Sequence, residues 1–336
     1  MSTGGREGSR RNRVASDALS RQRPSVTLPH LPSVLKSLSP DVRGWRPTFH
    51  QQVLAETRGR KFLVLVAIYG FAAVAGGYGA SSGSPERWDP TDPSVDLFIL
   101  SLITTFFAGL LGVAASFDTF FRERMNGTFD TMLVRPATRE GLYLGKSLAQ
   151  FLPYYLVMAV FNDLGVLVIG RNVGYPGPLQ VAVFVLVTPL VMLIFVLLLN
   201  GISFVRPSSF SLICGLILWL FFSPFVWPLI PASIGAAAGY DVSGTAQADI
   251  RSDINVLSNW VDMSNPMFAS IGTVAVTGND ASYEWVYGIP ACLPFVSITL
   301  WLALALVVGT RCVRSYGMNR PGFRRHVLRW LPHMGQ

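Results

Sequence analysis

Residues 117–150 read FDTFFRERMNGTFDTMLVRPATREGLYLGKSLAQ, a polar island between two strongly apolar stretches. The island carries Arg122, Arg124, Arg135, Arg139 and Lys146, and it is punctuated at Asn126-Gly127 and at Pro136. Asn-Gly marks a turn and proline stops a helix, so two short helices with breaks between them are expected here. The flanking stretches, Val95–Ala115 and Ser147–Gly170, are each long enough to cross a hydrocarbon core of ~30 Å, which takes about 20 apolar residues. Four more segments meet the same standard: Phe62–Ala80, Leu179–Phe204, Ser209–Ile230 and Val286–Val313. All are too long for core strands, and none shows the alternation of a lipid-facing β-strand. The expected fold is therefore an all-α polytopic membrane protein with six transmembrane helices.

Composition agrees. Of 336 residues, 51% are hydrophobic and only 14% charged, against about 25% charged in soluble domains. The basic residues then orient the spans. The chain up to Lys61 holds 12 Lys and Arg, the 117–150 island 5, the turn at Arg206 1 and the chain from Arg311 onward 6. Only Arg87, Arg171 and Arg251 remain for the opposite side. Because Lys and Arg are retained on the cytoplasmic face, both termini and the island are expected inside. The other face is acidic, with Glu86, Asp89, Asp92 and Asp96 followed by Asp241, Asp249, Asp253, Asp262, Asp280 and Glu284. The formal charge of +8 thus reflects topology and anionic lipid, and no nucleic-acid partner is expected.

Residues 1–44 are rich in Ser, Arg, Gly and Pro without an apolar period, and read as a disordered basic cytoplasmic tail; residues 317–336 read as a second one. Residues 45–316 form the membrane domain, with Phe62–Ala80 as a signal anchor rather than a removed peptide. From Pro47, Phe49, Val53 and Leu54 oppose Gln51, Gln52, Glu56 and Arg58. That pattern fits either an interfacial helix turning into the first span near Gly59 or a plain extension of that span. An outer loop, 231–285, precedes the sixth span, and within it Met267–Val276 is apolar but too short to cross. Trp227, Trp260 and Trp285 suit an aromatic belt at the outer interface.

Catalytic chemistry is sparse. Gly141-Leu-Tyr-Leu-Gly145-Lys146-Ser147 is similar to a phosphate-binding loop, but the spacer is one residue short and bulky side chains stand where backbone amides should cradle phosphate. The segment reads instead as the start of the third span, with Thr138 as N-cap, Glu140 in the first turn and Lys146 at the headgroup level. The histidines, His30, His50, His326 and His333, lie in the tails without metal-ligand spacing, and no metal or cofactor of the chain's own is expected. Asp163 stands apart. An ionisable group inside a span costs roughly 2.5–3.5 kcal/mol, so it should face protein or water, either in a translocation route or in a helix–helix contact with Asn162.

Within the island, Phe129, Met132 and Leu133 lie at i, i+3 and i+4 on a helix that Thr128 could cap, with Arg122, Glu123, Arg124 and Asp130 around them. An apolar knob with a charged rim suits either a groove on a soluble partner or the lipid headgroups. The run Glu123-Arg-Met-Asn-Gly127-Thr128-Phe-Asp-Thr-Met-Leu-Val-Arg135-Pro136-Ala-Thr-Arg139-Glu-Gly-Leu-Tyr-Leu-Gly145-Lys146 resembles the signature of ABC-2 type transporter permeases. The resemblance extends to six spans with an interfacial helix before the first, this cytoplasmic loop, and a long outer stretch containing Asn265-Pro266. Arg135 departs from the family pattern, where Thr or Ser is common before the proline, and the tail and outer loop are longer than usual.

The resemblance implies a permease subunit in the cell membrane, paired as a dimer, with ABC-type ATPase subunits bound beneath and ATP hydrolysed on them. Glu123, Gly127, Thr128, Phe129, Met132 and Leu133 would then belong to a coupling helix, and Arg135 to Arg139 to the turn back into the membrane. An ion- or proton-coupled carrier is the alternative. It would call for paired intramembrane charges, and only Asp163 qualifies.

Overall fold

A computed structural model describes residues 45–82, 92–125, 138–230, 233, 258–278 and 288–315, and among these every regular element is helical. In chain order they are α1 (Trp45–Thr57), α2 (Arg60–Ser81), α3 (Pro93–Ser116), α4 (Thr119–Met125), α5 (Arg139–Asn172), α6 (Pro178–Val205), α7 (Ser208–Phe222), α8 (Pro266–Val276) and α9 (Leu293–Ser315). Five helices are long and apolar enough to cross a membrane: α2, α3 continuing to Glu123, α5, α6 and α9. They coincide with five of the six expected spans. The segment expected to cross at Ser209–Ile230 instead gives the 15-residue α7, followed by turns from Ser223. At 1.5 Å per residue α7 is ~22 Å long, short of the ~30 Å core. The sixth expected span also starts later than its apolar run, at Leu293, with Pro294 in the first turn where a missing N–H does no harm.

The ends follow local chemistry. Asp92 caps α3, its carboxylate accepting from Ser94 N at 2.9 Å, and Pro93 occupies the first helical position. Thr138 caps α5, accepting from Gly141 N at 3.1 Å, and Asn265 caps α8, accepting from Met267 N at 2.8 Å. Gly59 separates α1 from α2, and Arg206-Pro207 separates α6 from α7. The turn at Arg206 is where the sequence places it, and of the two readings left open before the first span the structure has the one with a break at Gly59.

The most apolar of the five long helices, α6, is the spine, packing against α3, α5, α8 and α9. Its approach to α9 is close because Gly201 faces Gly309: a Cβ on Gly201 would stand 2.6 Å from the Gly309 Cα. Such small-residue contacts let helices associate in lipid, where burial offers no hydrophobic gain. Buried polar groups cross-link the bundle. Asn200 donates to Ser147 Oγ (3.0 Å) and to Gln150 Oε1 (3.1 Å), and Tyr143 donates its hydroxyl to the Leu197 carbonyl (2.8 Å). Near the start of α6, Gln180 donates to the carbonyls of Ser94 and Val274, and Asn265 donates to that of Phe222, so the short, buried α8 is fastened to α3, α6 and the end of α7. The large exposed side chains are apolar along whole helix faces, among them Leu63 and Phe71 on α2, Leu156 and Val160 on α5, and Ile213 and Ile217 on α7. Such faces suit hydrocarbon.

Candidate functional site

The described charged residues concentrate where α3, α4 and the start of α5 meet the first turns of α2. Beyond Ser116 the chain continues almost unbroken into α4, which ends at Met125. Glu123, on the last turn of α4, pairs with Lys146 on α5. Lys146 is 2% exposed and its ammonium lies 5.3 Å from the centre of the Phe120 ring. The sequence reading put Lys146 at headgroup level; in the structure its ammonium is turned into the protein, where a carboxylate 23 residues earlier supplies the counter-charge that lets it be buried.

A second ion pair lies on the other side of the island. Glu140, in the first turn of α5, receives both the Nε and Nη2 of Arg314 in the last turn of α9, the Nη2 contact at 3.1 Å. This fork geometry binds α5 to α9 at their shared end. Gln150 completes the hub, donating to the Ala115 carbonyl at 2.6 Å and to the Thr119 hydroxyl at 3.1 Å while accepting from Asn200. One network therefore joins α3, α4, α5 and α6, and a bidentate pair adds α9.

Beside the hub is a cleft of about 320 Å³ whose walls include Gln52, Glu56, Lys61, Asp118, Arg122 and Glu123. Lys61 donates to the Ala115 carbonyl at 2.9 Å and lies over the Phe117 ring. Glu56 accepts from the Tyr154 hydroxyl at 3.1 Å, which holds α1 against α5. Burial raises the Glu56 carboxyl above the usual carboxylate range, with Lys61 and the hydroxyl pulling it part of the way back.

Of the residues singled out from the sequence, Glu123 is in this network and Arg139 stands half-buried at the start of α5. Gly127, Thr128, Phe129, Met132, Leu133 and Arg135 lie outside the described residues. Asp163 is exposed on α5, beside Val160, Leu164 and Leu167, and has no hydrogen bond or ion pair among the described residues. Its neighbour Asn162 points the other way, fully buried, and accepts from the Tyr69 hydroxyl at 2.8 Å. Gly141 to Ser147 are ordinary helix, so their amides are engaged within α5 and form no phosphate cradle. Gln150, Asn200 and Arg314 escaped the sequence reading, and Glu140 was read only as a first-turn acid without its partner. The signals for two of them were an acid in the first turn of one helix and a base in the last turn of another.

Five helices long and apolar enough to cross a membrane, tied together at one end by these charged groups, fit a multi-pass membrane protein. The family model described as ABC-2 family transporter protein matches residues 48–316, and the chain belongs to that family. No curated protein matches it.

Proposed function

We propose that this chain is the membrane-spanning permease subunit of an ATP-driven ABC exporter in the cell membrane, working as a dimer with separate ATPase subunits docked at the 126–137 segment. In this reading the chain crosses six times, α7 with the turns after it making the fifth crossing, and both termini face the cytoplasm. Helix α1 lies in the inner interface, and hydrolysis takes place wholly on the partner. Membership of the family supports a permease with an ATPase partner.

The observation that carries the coupling role is the position of the two ion pairs. Glu123 stands just before the 126–137 segment and Glu140 just after it, and each is tied to a different place in the bundle: Glu123 to Lys146 within α5, Glu140 to Arg314 on α9. A displacement of the segment by an ATPase would reach α5 and α9 through charge-assisted contacts rather than through a slack loop. Asp163 is proposed to line the route that opens between two copies, since an exposed carboxylate at that depth needs a polar neighbour.

The test is co-purification followed by ATPase assay. The chain should bring down a soluble protein with a true phosphate-binding loop and stimulate its hydrolysis. A Glu123→Arg variant should lose that stimulation while its spans still insert. Transport by the isolated chain in liposomes, without ATP or partner, would overturn the reading.

A further inference from the structure

The side-chain bonds of α5 change partners at Pro153, which stands inside the helix. Before the proline, Glu140 pairs with Arg314 on α9, Tyr143 donates to the Leu197 carbonyl on α6, and Lys146 pairs with Glu123 on α4. Gln150 adds its bonds to α3, α4 and α6. After the proline, Tyr154 donates to Glu56 on α1, Asn162 accepts from Tyr69 on α2, and Asn172 donates to Ser81 at the end of α2. Backbone packing fastens this later part as well. A Cβ on Gly77 of α2 would stand 2.6 Å from the Gly165 carbonyl oxygen, and one on Gly165 would stand 2.9 Å from that of Ala73. The later part of α5 is thus seated on α2, while residues 139–152 are bonded to α3, α4, α6 and α9.

Pro153 also interrupts the helix's own ladder. Without an N–H it cannot bond the Ala149 carbonyl, so one rung is missing between the two parts. Sharp bends in helices gather at such prolines. Residues 139–152 follow the 126–137 segment directly after Thr138, so a push on that segment bears on them. Within them, Tyr143 touches the close crossing of α6 and α9. Its side chain is fully buried, and a Cβ on Gly309 would fall on its hydroxyl. The hydroxyl therefore fills the notch that Gly309 leaves in α9. Its acceptor, the Leu197 carbonyl, belongs to the same turn of α6 as Gly201, because a helix pairs residue i with i+4. Gly201 and Gly309 are the two residues that meet at the crossing. Tilting residues 139–152 about Pro153 moves the Tyr143 hydroxyl against both helices at that point.

We propose that residues 139–152 act as a lever pivoting at Pro153, and that Tyr143 is the positioning residue through which the lever sets the crossing of α6 and α9. The source of the push rests on the ATPase-driven permease proposed above; the division of α5 does not.

The test uses the full chain assembled with the ATPase that co-purifies with it. Cys214, Cys292 and Cys312 are replaced by alanine, and spin labels are placed at Val205→Cys and Arg311→Cys, exposed positions near the ends of α6 and α9. Dipolar broadening in electron paramagnetic resonance reports the distance between the labels, without nucleotide and with ATP trapped by vanadate. Nucleotide should change the broadening in the parent protein. Tyr143→Phe keeps the ring and leaves the Leu197 carbonyl its helical partner, so melting should change little. The nucleotide-dependent change should nevertheless fall several-fold while ATPase stimulation persists. Pro153→Ala supplies the missing N–H and keeps the Tyr143 hydroxyl; it should raise the melting temperature and also suppress the change. A full change in either variant would overturn the lever. So would a parent protein that stimulates the ATPase with no change at these labels, and both results leave the permease reading standing. If Tyr143→Phe is destabilised, Pro153→Ala decides alone. Absence of any ATPase partner would instead reject the permease reading, and with it the push on the lever.

Discussion

Lys146 and Glu123 form an ion pair at the end of α4 in which the lysine is 2% exposed and the glutamate about one-fifth exposed. The lysine sits in the first turns of a membrane helix and is compensated from outside that helix. Removing one partner of such a pair strands the other charge, which typically destabilises by about 3–5 kcal/mol. Glu123→Gln should therefore lower the melting temperature of the purified protein substantially. Adding Lys146→Met to Glu123→Gln should recover most of that loss, since the stranded ammonium goes with it. Thermal unfolding of the two single variants and the double variant, taken as a cycle, measures the pair. Additive effects would contradict it.

The approach of α6 to α9 is tested by the smallest possible change. At Gly201 a methyl group meets the backbone of Gly309 at 2.6 Å, which a side-chain rotation cannot relieve. Overpacking of this kind costs about 1–3 kcal/mol, so Gly201→Ala should melt earlier than the parent protein. Gly79→Ala on α2 is the matched control, because nothing lies within 4 Å of a Cβ there. Its helix propensity gain of up to ~1 kcal/mol predicts a neutral or slightly raised melting temperature.

Much of the fold was legible because membrane spans declare themselves by length and composition. The caps at Asp92, Thr138 and Asn265 add local hydrogen-bonding signals. What was not legible depends on which residues meet across space. The apolar run through Ser209–Ile230 reads as one span, whereas the helix stops at Phe222, just ahead of Ser223-Pro224, where a residue before proline leaves the helical region. Adjacent residues on a helix differ by about 100° in direction, so spacing alone cannot say that Asn162 turns inward to Tyr69 while Asp163 turns outward. Glu123 and Glu140 are visible in the island's sequence, but their partners Lys146 and Arg314 lie 23 and 174 residues away, so the pairings are not.

The segment from residue 258 to 265 should respond to pH through Asp262. Burial pushes its carboxyl up to about 6, while the hydroxyl of Ser258, at 3.4 Å, and the neighbouring Trp227 pull it back. The folded value lies above the ordinary 3.8, so between about pH 4 and pH 6 the folded state binds the proton and the unfolded state has lost it. The contribution to stability is then greatest below the ordinary value and declines as pH rises through about 6. Asp262→Asn, which cannot ionise, should remove this dependence. The melting temperature of the variant relative to the parent should rise across that interval and level off above it. A difference that stays flat from pH 4 to pH 7 would contradict the assignment.

Asp163 gives the sharpest division between a route and a passive surface. It stands among Val160, Leu164 and Leu167, all open to whatever surrounds α5, and no described residue answers its charge. If that surroundings were lipid alone, the carboxylate would be a liability of roughly 2.5–3.5 kcal/mol, and Asp163→Leu would stabilise the protein with no effect on function. If the face borders a hydrated route between two copies, the carboxylate is solvated there. Asp163→Leu would then bring little gain in stability, and Asp163→Asn would impair coupling in a normally folded protein. The second pattern is the expected one. Melting temperature and ATPase stimulation, measured on both variants in the assembled complex, separate the cases: a stabilised Asp163→Leu with full stimulation would remove Asp163 from the route and leave the ion pairs around the 126–137 segment untouched.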